Sequence, residues 1–156
     1  MAYDRNKATA YAHKWAMSRN ENYYDFSRIG GDCTNFISQC LYAGCGVMNY
    51  TRDTGWYYNA VNSRSPSWAG VEFLYNFLTE NKGGGPYGSE QPLRKAELGD
   101  IIQLSFDGKV FRHSLLVVET TPQILISTHS YDNDNRALKT YIYQKARLIH
   151  IDGSRG

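Results

Sequence analysis

Cys33 is the side chain in this 156-residue protein best placed for covalent chemistry. It follows Gly30-Gly31-Asp32 and precedes Phe36, Ile37, Cys40 and Leu41, an apolar stripe at helical spacing. The glycines permit a tight approach, Asp32 is a favourable N-cap, and Gly44 offers a C′ stop. The spacing therefore predicts a helix with Cys33 in its first turn. A thiol attacks only as thiolate, and free cysteine has a pKa of about 8.5. The unpaired N–H groups and positive potential of a helix N-terminus stabilise a thiolate. They can also hold the oxyanion formed when it adds to a carbonyl. The Asp32 carboxylate opposes ionisation unless it turns toward the cap.

The matching base is a histidine brought close in space. His113 opens the apolar run Ser114-Leu115-Leu116-Val117-Val118, and alternation puts it on the face of Leu115 and Val117, expected to pack on the helices. His129 ends the next β-rich run. A three-residue loop, Thr120 to Pro122, would pair His113 with His129, about 5 Å apart at Cβ. His129 could then fix the tautomer of His113, as a third residue does in hydrolase triads. An even-numbered loop would shift that register by one. His13 lies off its helical stripe and reads as a surface residue, and His150, within an alternating run, reads as structural.

Cys40 belongs to the apolar stripe, and Cys45 falls in a Gly44-Cys45-Gly46 turn. Two helical turns separate Cys33 from Cys40, beyond disulfide reach. Cys33, His113 and His129 lack the paired spacing of a zinc site, so neither metal nor cofactor is expected.

These residues need positioning elements. Ala8, Tyr11, Ala12, Trp15 and Ala16 predict a helix that stops by Asn20-Glu21-Asn22. Residues 49–66 read as a polar, aromatic surface loop and Trp68 to Leu78 as a further helix. Gly83-Gly84-Gly85-Pro86 reads as a flexible loop bordering the site. The period then becomes that of strands over 101–106, 110–119 and 124–130, with Asp107-Gly108 and Thr121-Pro122 as turns. Residues 141–143 and 148–151 add further strands. Helices followed by an antiparallel sheet make an α+β arrangement in one domain, residues 1–156.

Composition narrows the function. A net charge of +2 is too small to argue for nucleic acid. No apolar stretch approaches the roughly 20 residues of a membrane span. Met1 to Asn20 reads as an amphipathic helix rather than a secretory signal. That fits a cytoplasmic protein if the chain is complete, or an envelope or extracellular one if it is a fragment of a secreted bacterial protein. A monomer is expected. Thirteen tyrosines suit the edges of the core and polar grooves.

Residues 30–44, Gly-Gly-Asp-Cys-Thr-Asn-Phe-Ile-Ser-Gln-Cys-Leu-Tyr-Ala-Gly, resemble the signature of the bacterial putative amidase domain family. Tyr23-Tyr24-Asp25-Phe26, Trp56, Trp68, Leu98 to Gln103 and Ser127-Thr128-His129 extend the likeness over nearly the whole chain. More distantly, Asp32-Cys33, Gly99-Asp100 and His113-Ser114 are similar to NlpC-type cell-wall peptidases and CHAP amidases. That resemblance implies a papain-like fold with Cys33, His113 and His129 as catalytic residues. It also implies a supporting tyrosine at Tyr23 or Tyr24, while Asp32 and Trp56 join the supporting or substrate-binding set. Thr34-Asn35 stand where NlpC-type enzymes carry Ser-Gly, so their substrate preference does not transfer directly. The expected activity is cleavage of a peptide or amide through an acyl-thioester, on cell-wall peptides. The alternatives are an acyl transferase on the same site, or a non-catalytic peptide- or glycan-binding module.

Overall fold

The computed structural model describes residues 2–156. Its first helix, α1 (Arg5–Trp15), is capped by Asp4, whose carboxylate accepts from the Lys7 N–H at 3.0 Å. The second, α2 (Cys33–Cys45), is buried on nearly every side, as a helix without a polar face must be. It runs past the stop expected at Gly44 and closes on Gly46, whose φ of +70° suits glycine. Gly44 serves a close crossing instead: a Cβ there would meet the Tyr3 ring, and its carbonyl accepts from Asp4 N–H at 2.8 Å.

The segment read as an open loop over 49–66 contains a small hairpin, β1 (Tyr58–Ala60) with β2 (Ser63–Arg64). The single helix expected over 68–78 is two, α3 (Pro66–Ala69) and α4 (Val71–Glu80), parted by the extended backbone of Gly70. Six strands follow: β3 (Gly85–Gln91), β4 (Ile101–Ser105), β5 (Phe111–Glu119), β6 (Leu125–Thr128), β7 (Asn133–Ala137) and β8 (Lys145–Arg155). They form one antiparallel sheet in the order β3-β8-β4-β5-β6-β7. The α+β class therefore holds.

Gly85 and Pro86, expected in a flexible loop, open the edge strand β3, where proline is tolerated. The polar Asn133-Asp134-Asn135-Arg136-Ala137 of β7 has no apolar alternation to announce it. Residues 141–143 lie outside any strand, between the 3₁₀ turn Leu138–Thr140 and β8.

Apolar side chains cover both faces of the sheet. Phe36, Leu41, Trp68 and Leu78 from the helices pack on Ile101, Leu116, Val118 and Ile149. Ile102, Leu104, Leu115, Val117, Ile126 and Leu138 form a second core on the opposite face. Leu115, Leu116 and Val117 are fully buried, each contributing about 1.5–3 kcal/mol. A strand buried on both faces has no polar side to reveal which face the helices take. The expectation that His113, Leu115 and Val117 face the helices is thus reversed: Ser114, Leu116 and Val118 do, while the His113 ring packs on Tyr141 at the other face.

The register between β5 and β6 also departs from expectation. Glu119 pairs with Leu125 across a five-residue loop, Thr120 to Ile124, and a bulge lies between Val117 and Glu119. Leu116 then opposes Ser127, and the same register continued past β6 puts His113 opposite Ser130 rather than His129.

Candidate active site

Cys33 enters the site at the first residue of α2, where Gly30 and Gly31 have φ of +82° and +101°. Gly31 needs that freedom and its missing Cβ, because Ser130 Oγ packs close against it and accepts from the Asp32 N–H at 2.8 Å. Ser130 and Tyr131 both take left-handed backbone, an unfavourable conformation held by the surrounding bonds. Both residues line the same pocket as the thiol.

Cys33 and His113 line one pocket of about 340 Å³, with Arg112, Arg136 and Tyr141 among its other walls. Cys33 is 7% exposed, and burial pushes its thiol pKa up. Hydrogen bonds from the Ser114 backbone and from Thr34 work in the opposite direction. Burial, with the charge of Arg136, lowers His113 to about 4. At neutral pH the thiol and the imidazole that line this pocket are therefore both neutral, which for the imidazole is the protonation state a general base requires. The His113 ring packs against Tyr141 with centroids 6.0 Å apart.

His129 is elsewhere. It is 1% exposed and stacks on Phe36 with centroids 4.0 Å apart. Its Nδ1 bonds Asp32 Oδ2 at 2.6 Å and its Nε2 lies 2.8 Å from the Trp15 carbonyl oxygen. Arg19, paired with Asp132, closes the far side. His129 consequently reaches the thiol only through Asp32. Asp32 makes no helix-capping bond with its side chain. Its Oδ1 accepts from Phe26 N–H and Asn35 Nδ2, both at 2.8 Å. The carboxylate thus ties the helix start to the glycine loop and β6, and remains only a minor upward influence on the thiol.

The aromatic expectations are corrected in the same way. Trp56 is fully buried, donating to Ser38 Oγ at 3.0 Å and packing on Trp68 at 4.8 Å, so it supports α2 and does not line the Cys33 pocket. Tyr23 packs on Tyr58 and Trp68, and with Tyr24 it lines a separate depression. His13 bonds Asp134 at the surface, and His150 bonds the buried Asp100. Cys40 and Cys45 are buried and free. Among the described residues no group of acidic, cysteine or histidine side chains could hold a metal.

A row of polar side chains runs beneath the thiol. Arg147 Nε and Nη2 donate to Gln103 Oε1 at 3.0 and 2.7 Å. Arginine has no acceptor, so this contact fixes the orientation of the amide. Gln103 Nε2 then donates to Val71 O and to Ser114 Oγ. Ser114 Oγ lies 3.0 Å from Thr34 Oγ1, which lies 3.7 Å from Cys33 Sγ. A thiolate can only accept, so once Cys33 ionises every bond in the row can point toward sulfur, with a guanidinium at its far end. Gln103 was visible as the polar residue of Ile101-Ile102-Gln103-Leu104. The hydroxyls of Thr34 and Ser114 gave no comparable signal.

The profile of the putative amidase domain family matches residues 2–151, nearly the whole chain. The chain belongs to the putative amidase domain family. This amidase-family chain is also 34% identical over 139 residues to the Uncharacterized protein YhbB of Bacillus subtilis (strain 168). That match covers 86% of the chain but 43% of the relative, so the chain spans less than half of the longer protein. No solved structure matches it. The family points to amide hydrolysis, and no helix among the described residues is long and apolar enough to cross a membrane.

Proposed function

We propose that the protein is a cysteine amidase or peptidase that cleaves amides through an acyl-thioester on Cys33, with His113 as general base and cell-wall peptides as substrates. The observation that carries this reading is the shared pocket: a helix-start thiol and a half-buried, neutral imidazole lining the same cavity. A cysteine on a helix before a histidine on a sheet is also the arrangement that the papain-like resemblance implies.

The chemistry follows from those two groups. His113 takes the thiol proton as sulfur adds to the carbonyl carbon, and the carbonyl oxygen becomes an oxyanion. The N–H groups of the first turn of α2 lie next to the sulfur and lack helical partners, so they supply its donors. Collapse breaks the C–N bond, and the imidazolium gives its proton to the departing amine. Water, deprotonated by His113, adds to the thioester, releasing a carboxylic acid and restoring the thiol. His129 contributes as a positioning residue through Asp32.

Mass spectrometry of the protein incubated with soluble cell-wall peptides tests the reading. The expected result is a transient adduct on Cys33 and amine release, both lost in Cys33→Ala. Turnover that survives in Cys33→Ala would overturn it.

A further inference from the structure

We infer that the substrate carries a free carboxylate beside its scissile amide, held by Arg112 and Arg136 at the mouth of the Cys33 pocket. This deepens the reading of Cys33 as nucleophile and rests on it.

Two arginines and no aspartate or glutamate line that pocket. Neither arginine is in an ion pair among the described residues. Arg112 stands exposed on β5 directly before the base. The nearby Asp107 carboxylate accepts from the Lys109 and Val110 N–H groups and from Ser105, and the charge of Arg112 acts on it as a lesser influence without forming an ion pair. Arg136 is set in place: its Nε and Nη2 bond Thr140, and its guanidinium carbon lies 3.7 Å from the centroid of the Tyr141 ring. A guanidinium held this way loses little freedom on binding, and its planar donor fork matches a carboxylate. A site for neutral amides has no use for two unpaired cations beside a base that works by becoming a cation.

That last point links recognition to chemistry. Arg136 from β7 and Tyr141 from the segment after the 3₁₀ turn act directly on His113, and Arg112 from β5 and Cys33 from α2 line the same pocket. The positive charge of Arg136 opposes protonation of His113. A substrate carboxylate on Arg136 offsets that repulsion when the imidazolium must form. An acidic substrate thus helps create the ion pair that the charge of Arg136 disfavours.

A pair of thiol reagents differing in one charge tests this without a known substrate. Iodoacetate and iodoacetamide both alkylate a thiolate with loss of iodide, and only iodoacetate brings a carboxylate. The ratio of their rates at Cys33, read by peptide mass spectrometry, is compared with the ratio for the same cysteine in the denatured chain. The expected ratio favours iodoacetate by about tenfold or more over the denatured chain, and falls with added salt. It drops to the denatured value in the Arg112→Gln, Arg136→Gln double variant, is partly kept by Arg136→Lys, and is unaffected by Arg94→Gln outside the pocket. A native ratio no higher than the denatured one overturns the carboxylate assignment. Failure of the nucleophile reading looks different, because Cys33 would then react with both reagents at rates indifferent to His113→Ala.

Discussion

His113 and His129 sit on neighbouring stretches of one sheet and face opposite fates. His129 is enclosed, with both ring nitrogens engaged and an aromatic ring stacked on it. His113 lines a pocket, rests against Tyr141, and is kept neutral by burial and the charge of Arg136. A histidine whose nitrogens are spoken for acts as a rivet between segments. One left neutral in the pocket that a thiol also lines can move a proton. The bonds to the ring and its enclosure together separate structural from chemical histidine here.

Replacing each in turn is the sharpest way to break that contrast. His113→Ala is expected to lower kcat by about 10²–10⁴-fold, with the melting temperature nearly unchanged. His129→Ala should leave Asp32 buried without its partner, at a cost of about 3–5 kcal/mol. Thermal unfolding would show it as a fall in Tm on the order of 10 °C. His129→Asn, which can still donate to Asp32, should recover part of the loss. Equal melting temperatures for the two alanine variants would erase the distinction.

The pH dependence of stability offers a second contrast, set by His113. Folded, its ring stays neutral down to about pH 4, whereas the ordinary value of 6.5 applies once the chain unfolds. Between those values the unfolded chain binds more protons, so stability is lost as pH falls from 6.5 toward 4. The full loss is about 3 kcal/mol. Denaturant melts of wild type and His113→Gln across this window should diverge by that amount at the acid end and converge above 6.5. Parallel curves would mean that His113 is not held neutral.

What the sequence disclosed follows the same division. Cys33 at a helix start and the helix-then-sheet order were legible, because glycine, an apolar stripe and strand alternation are local signals. The partnership of His113 with His129 was not, because it hung on a loop length and a bulge that shift the register by one residue. Asp32 looked like a cap, since that role is local. Its actual partner, His129, lies 97 residues away in sequence. Trp56 read as a groove residue because a polar, aromatic segment looks like surface, whereas the indole is packed beneath α2. Arg136 sits in a stretch without period and Tyr141 in one read as a strand, and only the fold brings them to the pocket of the thiol.

The polar row from Arg147 to Cys33 gives the smallest of the expected effects and extends the comparison from histidines to hydroxyls. Ser127 and Thr128 also carry hydroxyls on the sheet, yet theirs donate to Asp134 and the Ser114 carbonyl and not toward sulfur. Thr34 is different because its Oγ1 lies between Ser114 Oγ and Sγ. Thr34→Val keeps the shape and removes the donor, so the thiolate should lose about one hydrogen bond to a charged group, on the order of 1.5 kcal/mol. The pH midpoint of Cys33 alkylation should rise by about one unit, while Thr34→Ser restores it. Gln103→Leu, two bonds further out, should move the midpoint in the same direction by less, because it strips Ser114 Oγ of its donor without touching sulfur. A midpoint unchanged in Thr34→Val would show that the row serves packing alone. A shift in Gln103→Leu matching that in Thr34→Val would instead locate the effect in the whole row, with the charge of Arg147 felt through it.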